Sequence, residues 1–201
     1  MTSQGDLLKR LTAALEGVGI AYMVAGSIGS SFHGHPRATN DLDIIIAPSQ
    51  EQLDAFVALL GPDYYVSAAS AKAAFNGKTM FNVVDNATGW KVDLVVRKER
   101  AFSIEEFQRR RKVRMMGSDI FIASPEDVIL SKLEWAKNSG SEQQLRDALG
   151  VFKVQGDELD LEYLAKWARA LNVEDSLEWL LETGRKNGKS GKGGEGWATR
   201  G

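Results

Sequence analysis

Cysteine is absent from the 201-residue chain. That excludes disulfides, thiolate metal sites and cysteine nucleophiles together, and it suits a reducing compartment. Histidine is nearly absent, with His33 and His35 alone. A His-x-His pair invites zinc, but with no thiol available and hard carboxylates nearby a zinc site is not expected. No apolar run approaches the ~20 residues of a membrane span. The start, Met1 to Asp6, lacks a basic region followed by an apolar one. These absences lead to an expectation of a cytoplasmic protein without a membrane partner.

Net charge is small, at -2, but it is unevenly placed. Residues 184–201 hold Arg185, Lys186, Lys189, Lys192 and Arg200 against Glu195, and seven of them are Gly. So polar a segment buries too little apolar surface to offset its ordering entropy, and a disordered tail is expected from 184 onward. The whole chain is 43% hydrophobic and fits one domain with a small appendage.

What is present concentrates in one stretch. The apolar run Ile20 to Ala25 reads as a strand and is followed by Gly26-Ser27-Ile28-Gly29-Ser30-Ser31, a small-residue turn and short helix. Small residues let backbone N–H groups approach a phosphate, and a helix N-terminus adds a favourable dipole. Lys-Ser/Thr does not follow the last Gly, so this is not a Walker loop, and the glycine spacing does not match a dinucleotide fingerprint. After His33, His35 and Arg37 come Asp41 and Asp43, leading into Ile44-Ile45-Ile46. Alternate strand residues share a face, which puts both carboxylates on one side and Leu42, Ile44 and Ile46 on the other. Two like charges that close repel unless a cation or a proton intervenes.

Further along, Met80–Val84 and Trp90–Val96 read as a hairpin around Asp85 to Gly89, which would carry Asp93 to the Asp41/Asp43 strand. Ser124-Pro125-Glu126-Asp127 is a helix start, with a capping hydroxyl, Pro at the first position and acids in the first turn. Helices are expected over 125–137, 142–154, 161–171 and 174–182. In the first of them Lys132 falls in helical phase with Val128, Ile129, Leu133 and Ala136. A Lys there meets an anion or snorkels outward, and Lys132→Met is expected to hold or slightly raise stability. Arg37 has two readings, a phosphate contact or an ion pair with a neighbouring carboxylate. Arg146-Asp147 lies off the Leu145/Leu149/Phe152 face and has two readings, a functional pair or an exposed ion pair, the second at least as well supported. Arg109 to Arg114 packs five cations into six residues, and reads as a solvated, charge-protected edge strand more readily than as an RNA contact.

The set Val24-Ala25-Gly26-Ser27, His33-Gly34, Arg37-Ala38-Thr39-Asn40-Asp41-Leu42-Asp43 and Lys91-Val92-Asp93-Leu94 resembles the signature of the DNA polymerase β nucleotidyltransferase superfamily. It is similar in particular to the minimal bacterial branch that includes the AbiEii-type toxins, although Ser27 follows Gly26 where many members of that branch have a second Gly. The resemblance covers roughly residues 20 to 170. It implies an α+β fold, with a mixed-sheet nucleotidyltransferase domain and flanking helices over 1–123, a helical subdomain over 124–183, and the tail over 184–201. It implies Asp41, Asp43 and Asp93 as catalytic metal ligands for two Mg2+ ions, with Mn2+ as a substitute. Gly26, Ser27, Arg37 and Lys132 become nucleotide contacts. The implied reaction moves an NMP from an NTP to a hydroxyl with loss of pyrophosphate. The acceptor is left open among RNA, protein hydroxyls and small molecules, and an antitoxin partner follows only if the toxin likeness holds. The rival expectation is a non-catalytic nucleotide- or RNA-binding module on the same fold.

Overall fold

The structure, a computed structural model, describes residues 4–39, 41–115 and 117–189. The chain opens with α1 (Gln4–Gly17) and β1 (Ala21–Val24), then α2 (Gly26–His33) and β2 (Leu42–Ala47). α3 (Gln50–Leu60) begins at Ser49, whose hydroxyl accepts from the Gln52 N–H while the Gln52 side chain returns to the Ser49 N–H, a complete capping box. β3 (Tyr64–Val66), α4 (Ala68–Gly77), β4 (Met80–Asp85) and β5 (Lys91–Val96) follow. Next come α5 (Ala101–Gln108), β6 (Arg111–Met115) and β7 (Ser118–Ile122). The chain then turns helical through α6 (Pro125–Ser139), α7 (Glu142–Gln155), α8 (Leu161–Leu171) and α9 (Glu174–Lys189).

One mixed sheet of seven strands runs in the order β3-β4-β5-β2-β1-β7-β6 among the described residues. β2 lies parallel to β5 and antiparallel to β1, and β4 and β5 form the expected hairpin. Alternation along β2 decides what each face does. Leu42, Ile44 and Ile46 are 1% exposed or less and join Leu7, Leu11, Leu53, Phe56 and Leu94 in a first core under α1, α3 and α4. Ile45 and Ala47, with Met23 of β1, meet a second core built from α5 to α9 around Leu133, Val151, Leu164 and Leu180. Asp43 shares that second face and lies at the strand end where the helices begin. The acids are therefore presented into the gap between sheet and helices.

Ser124 caps α6 as expected, accepting from the Asp127 N–H. Two boundaries depart from expectation. α9 continues to Lys189, through the start of the expected tail, because Gly184 is buried flat against the Phe152 ring and a Cβ there would overlap it. Residues 190–201 lie outside the described residues. The second is the start of the cationic strand: Arg109 and Arg110 precede β6 and are partly covered, while Arg111, Lys112 and Arg114 stay more than half exposed on this edge strand, as expected. Arg109 bonds to Glu126 and stacks 3.8 Å over Tyr163, while Arg110 covers Phe107 at 4.4 Å. Within the strand, Arg111 lies near Glu126, and Lys112 and Arg114 face Asp119.

Candidate active site

Gly26 is where the strand β1 hands over to helix α2, and its geometry requires glycine. Its φ is +58°, and a Cβ would overlap the Asp43 carboxylate. The missing side chain lets the loop backbone close over that acid. Ala25 N–H donates to the Asp43 carbonyl at 3.0 Å, and the Ser27 N–H donates to the Asp43 carboxylate.

Asp43 and Asp93 are direct register partners on the parallel strands β2 and β5. Burial pushes the Asp43 carboxyl up from its ordinary value, and the neighbouring negative charge of Asp93, with a smaller one from Asp41, pushes it the same way. Lys132 and the Ser27 N–H pull in the opposite direction without cancelling it. Asp41 stands just before β2, is exposed, and donates its backbone N–H to the Thr39 hydroxyl at 3.2 Å. The structure thus brings two of the three expected acids side by side and leaves Asp41 at the mouth.

The residues present fit a hard divalent ion. Mg2+ keeps several waters and is usually held by one or two carboxylates together with substrate phosphates. The Asp43/Asp93 pair suits one such ion, and its mutual repulsion is what a cation would relieve. Among the described residues no group of three or more His, Asp or Glu side chains is placed to hold a metal. His33 is not a ligand candidate. It is buried, donates from Nε2 to the Ala123 carbonyl at 2.7 Å, and its basicity is lowered chiefly by burial.

Lys132 is 6% exposed, with its stem among Val128, Ile129 and Leu133. Its Nζ donates to Asp147 Oδ2 at 3.0 Å. Arg37 reaches the same carboxylate with two parallel bonds, Nε to Oδ1 and Nη2 to Oδ2, both 3.1 Å, and its Nη2 also donates to the Ser27 hydroxyl at 2.7 Å. Gln143 adds a bond at 2.7 Å. Burial pushes the Asp147 carboxyl up, yet the hydrogen bonds from Arg37, Lys132 and Gln143 outweigh it and hold the group below its ordinary value.

Asp147 is a buried hub rather than the exposed pair member expected from its neighbours. Arg146 alone stays exposed, bonded to Glu142 at 3.2 Å and to Gln143. Arg37 makes the ion pair with Asp147. Its Nε and Nη2 are occupied and Nη1 turns to the Ala38 carbonyl at 3.3 Å. Lys132 keeps donors to spare beside Asp43. A pocket of about 170 Å3 opens behind this hub, lined by Ser30, His35, Pro36, Arg37 and Asp147 among others.

No protein-family model matches this chain, and neither does any curated protein sequence. Solved structures do. The antibiotic-resistance factor ANT(2'')-Ia, determined in solution, superposes with a TM-score of 0.57 at 14% identity, covering 90% of this chain and 97% of its own. The chain has the nucleotidyltransferase fold. ANT(2'')-Ia in complex with adenylyl-2''-tobramycin gives a TM-score of 0.57 at 15% identity over 85% of this chain and 98% of its own. An antigenic nucleotidyltransferase-like protein from Paracoccidioides brasiliensis gives 0.52 at 18% identity over 89% and 91%. The lincosamide antibiotic adenylyltransferase LnuA, with lincomycin bound, gives 0.50 at 12% identity over 77% and 98%.

Proposed function

We propose that the chain transfers an NMP from an NTP to an acceptor hydroxyl with release of pyrophosphate. The observation that carries this reading is the register pair Asp43/Asp93 at the loop–helix junction where the Ser27 N–H and the Lys132 ammonium converge. A divalent ion such as Mg2+ or Mn2+ at this pair would neutralise phosphate charge and supply stabilisation for the attacking and leaving oxygens of an in-line displacement. Asp43 and Asp93 would hold it, and Asp41 would be the remaining ligand for a second ion. The N-terminus of α2 and the spare Lys132 donors receive the triphosphate. Arg37 acts one step back, fixing Ser27 against Asp147.

A small polyhydroxylated acceptor is the class to test first. Two of the similar proteins, ANT(2'')-Ia and LnuA, are an antibiotic-resistance factor and an antibiotic adenylyltransferase, and they match over 90% and 77% of this chain. An RNA acceptor, with the toxin role and antitoxin partner that would accompany it, draws less support, because Arg109 and Arg110 of the 109–114 run are engaged with Glu126 and aromatic rings. Asp43→Asn and Asp93→Asn each remove a ligand without touching core packing. Both variants are expected to keep the wild-type circular dichroism spectrum and melting profile while losing label transfer from NTP to a panel of hydroxyl acceptors. Near-normal turnover in either would move the site elsewhere, and equal nucleotide binding without turnover in wild type would favour the non-catalytic module.

A further inference from the structure

Asp93 has neighbours on both sides along the sheet. On one side stands Asp43, and on the other, directly opposite on the antiparallel strand β4, stands Asn82. Side chains opposite one another on such a pair lie close enough to bond. The Asn82 Nδ2 amide donates to Asp93 Oδ1 at 2.5 Å. Lys91, two residues earlier on the same strand, also reaches the carboxylate, at 3.1 Å to Oδ1 and 3.3 Å to Oδ2. The two donors differ in kind. Lys91 is half exposed, long and positively charged, so its contact is weak and a divalent cation at the same carboxylate would repel it. Asn82 is short, neutral and carried on a paired strand, so it can keep its bond with or without a cation present.

We infer that Asn82 is a positioning residue for Asp93, fixing the carboxylate's rotamer so that it faces Asp43. The inference rests on the transfer reading above. Partners of a ligating carboxylate orient it, and losing one typically weakens metal binding or activity by about 10–100-fold. Asn82 is exposed and its neighbours on that strand face, Met80 and Val84, are not in the core, so replacing it leaves the packing intact.

The test uses Asn82→Leu, which keeps the shape and deletes the donor, and Asn82→Thr, which fits the strand and restores a donor. Mn2+ affinity of the full chain with a non-hydrolysable NTP is measured by electron paramagnetic resonance, alone and in the Asp93→Asn background, alongside turnover. Asn82→Leu is expected to weaken Mn2+ binding about tenfold and to lower kcat while the KM for NTP stays within about twofold. Asn82→Thr should recover part of both, and Asn82→Leu should add no further loss of Mn2+ affinity to Asp93→Asn. Unchanged Mn2+ affinity, or losses that add in the double variant, overturn the inference while leaving the transfer reading in place. A wild-type chain that binds Mn2+ in an Asn82-dependent way but turns nothing over sinks the transfer reading and keeps the clamp. Wild type that neither binds Mn2+ nor turns over defeats both.

Discussion

The Lys132 ammonium and the Asp147 carboxylate are buried together, which neither could be alone, and Arg37 closes the arrangement against Ser27. The helical phase of Lys132 was legible in the sequence and the structure keeps it on the apolar face. Its partner was not, since Asp147 belongs to another helix, and Arg37 meets it across 110 residues of chain. The expectation that Lys132→Met would hold or raise stability is therefore revised. That substitution removes one donor from a buried carboxylate, and because Arg37 and Gln143 remain, the loss should be about 1–3 kcal/mol, below the 3–5 of a fully orphaned buried charge. Urea unfolding checks it, and calorimetry with a non-hydrolysable NTP should show affinity falling by about 1.5–3 kcal/mol. Unchanged nucleotide affinity would reduce Lys132 to a structural partner of Asp147.

At the scale of elements, β-branched runs and breakers announced the strands, and Ser124 announced a helix start with the bond that side-chain chemistry predicts. Register was the illegible part. Nothing local says that Asn82 faces Asp93, because that depends on how β4 and β5 pair, and Asp41, read as the strand's first residue, falls just outside it. The end of α9 was missed for a related reason. A Gly/Lys-rich segment has poor helix propensity, but the contact of Gly184 with Phe152 overrides it where the two helices meet. Gly184→Ala is accordingly expected to lower the melting temperature, despite the better propensity of Ala, because the ring of Phe152 must move. Removing residues 184–201 should also lower it, contrary to the expectation from composition. Melting at the wild-type temperature in both would show that the last turns of α9 contribute nothing.

Over the whole molecule, stability against pH reports on buried acids of both kinds. Glu106, 5% exposed beneath Arg100 and bonded by the Ser131 hydroxyl, is pushed up to about 8, chiefly by burial. Between the unfolded value near 4.5 and that point the folded chain holds a proton that the unfolded chain has released. Stability therefore falls as pH rises through this window, by on the order of a few kcal/mol, and levels off above it. Asp147, held low, acts with the opposite sign and costs stability only in acid. Glu106→Gln should flatten the profile between pH 5 and 8 in urea unfolding, and a slope that survives would assign it to other groups such as Asp127. Nucleotidyl transfer breaks the triphosphate between its α- and β-phosphates. NTP labelled separately at the α- and γ-phosphates, incubated with the full chain, Mg2+ and hydroxyl acceptors, should place the α label on the acceptor and release the γ label as pyrophosphate. Transfer of the γ label to the acceptor would contradict the account, because it would make the chain a phosphotransferase.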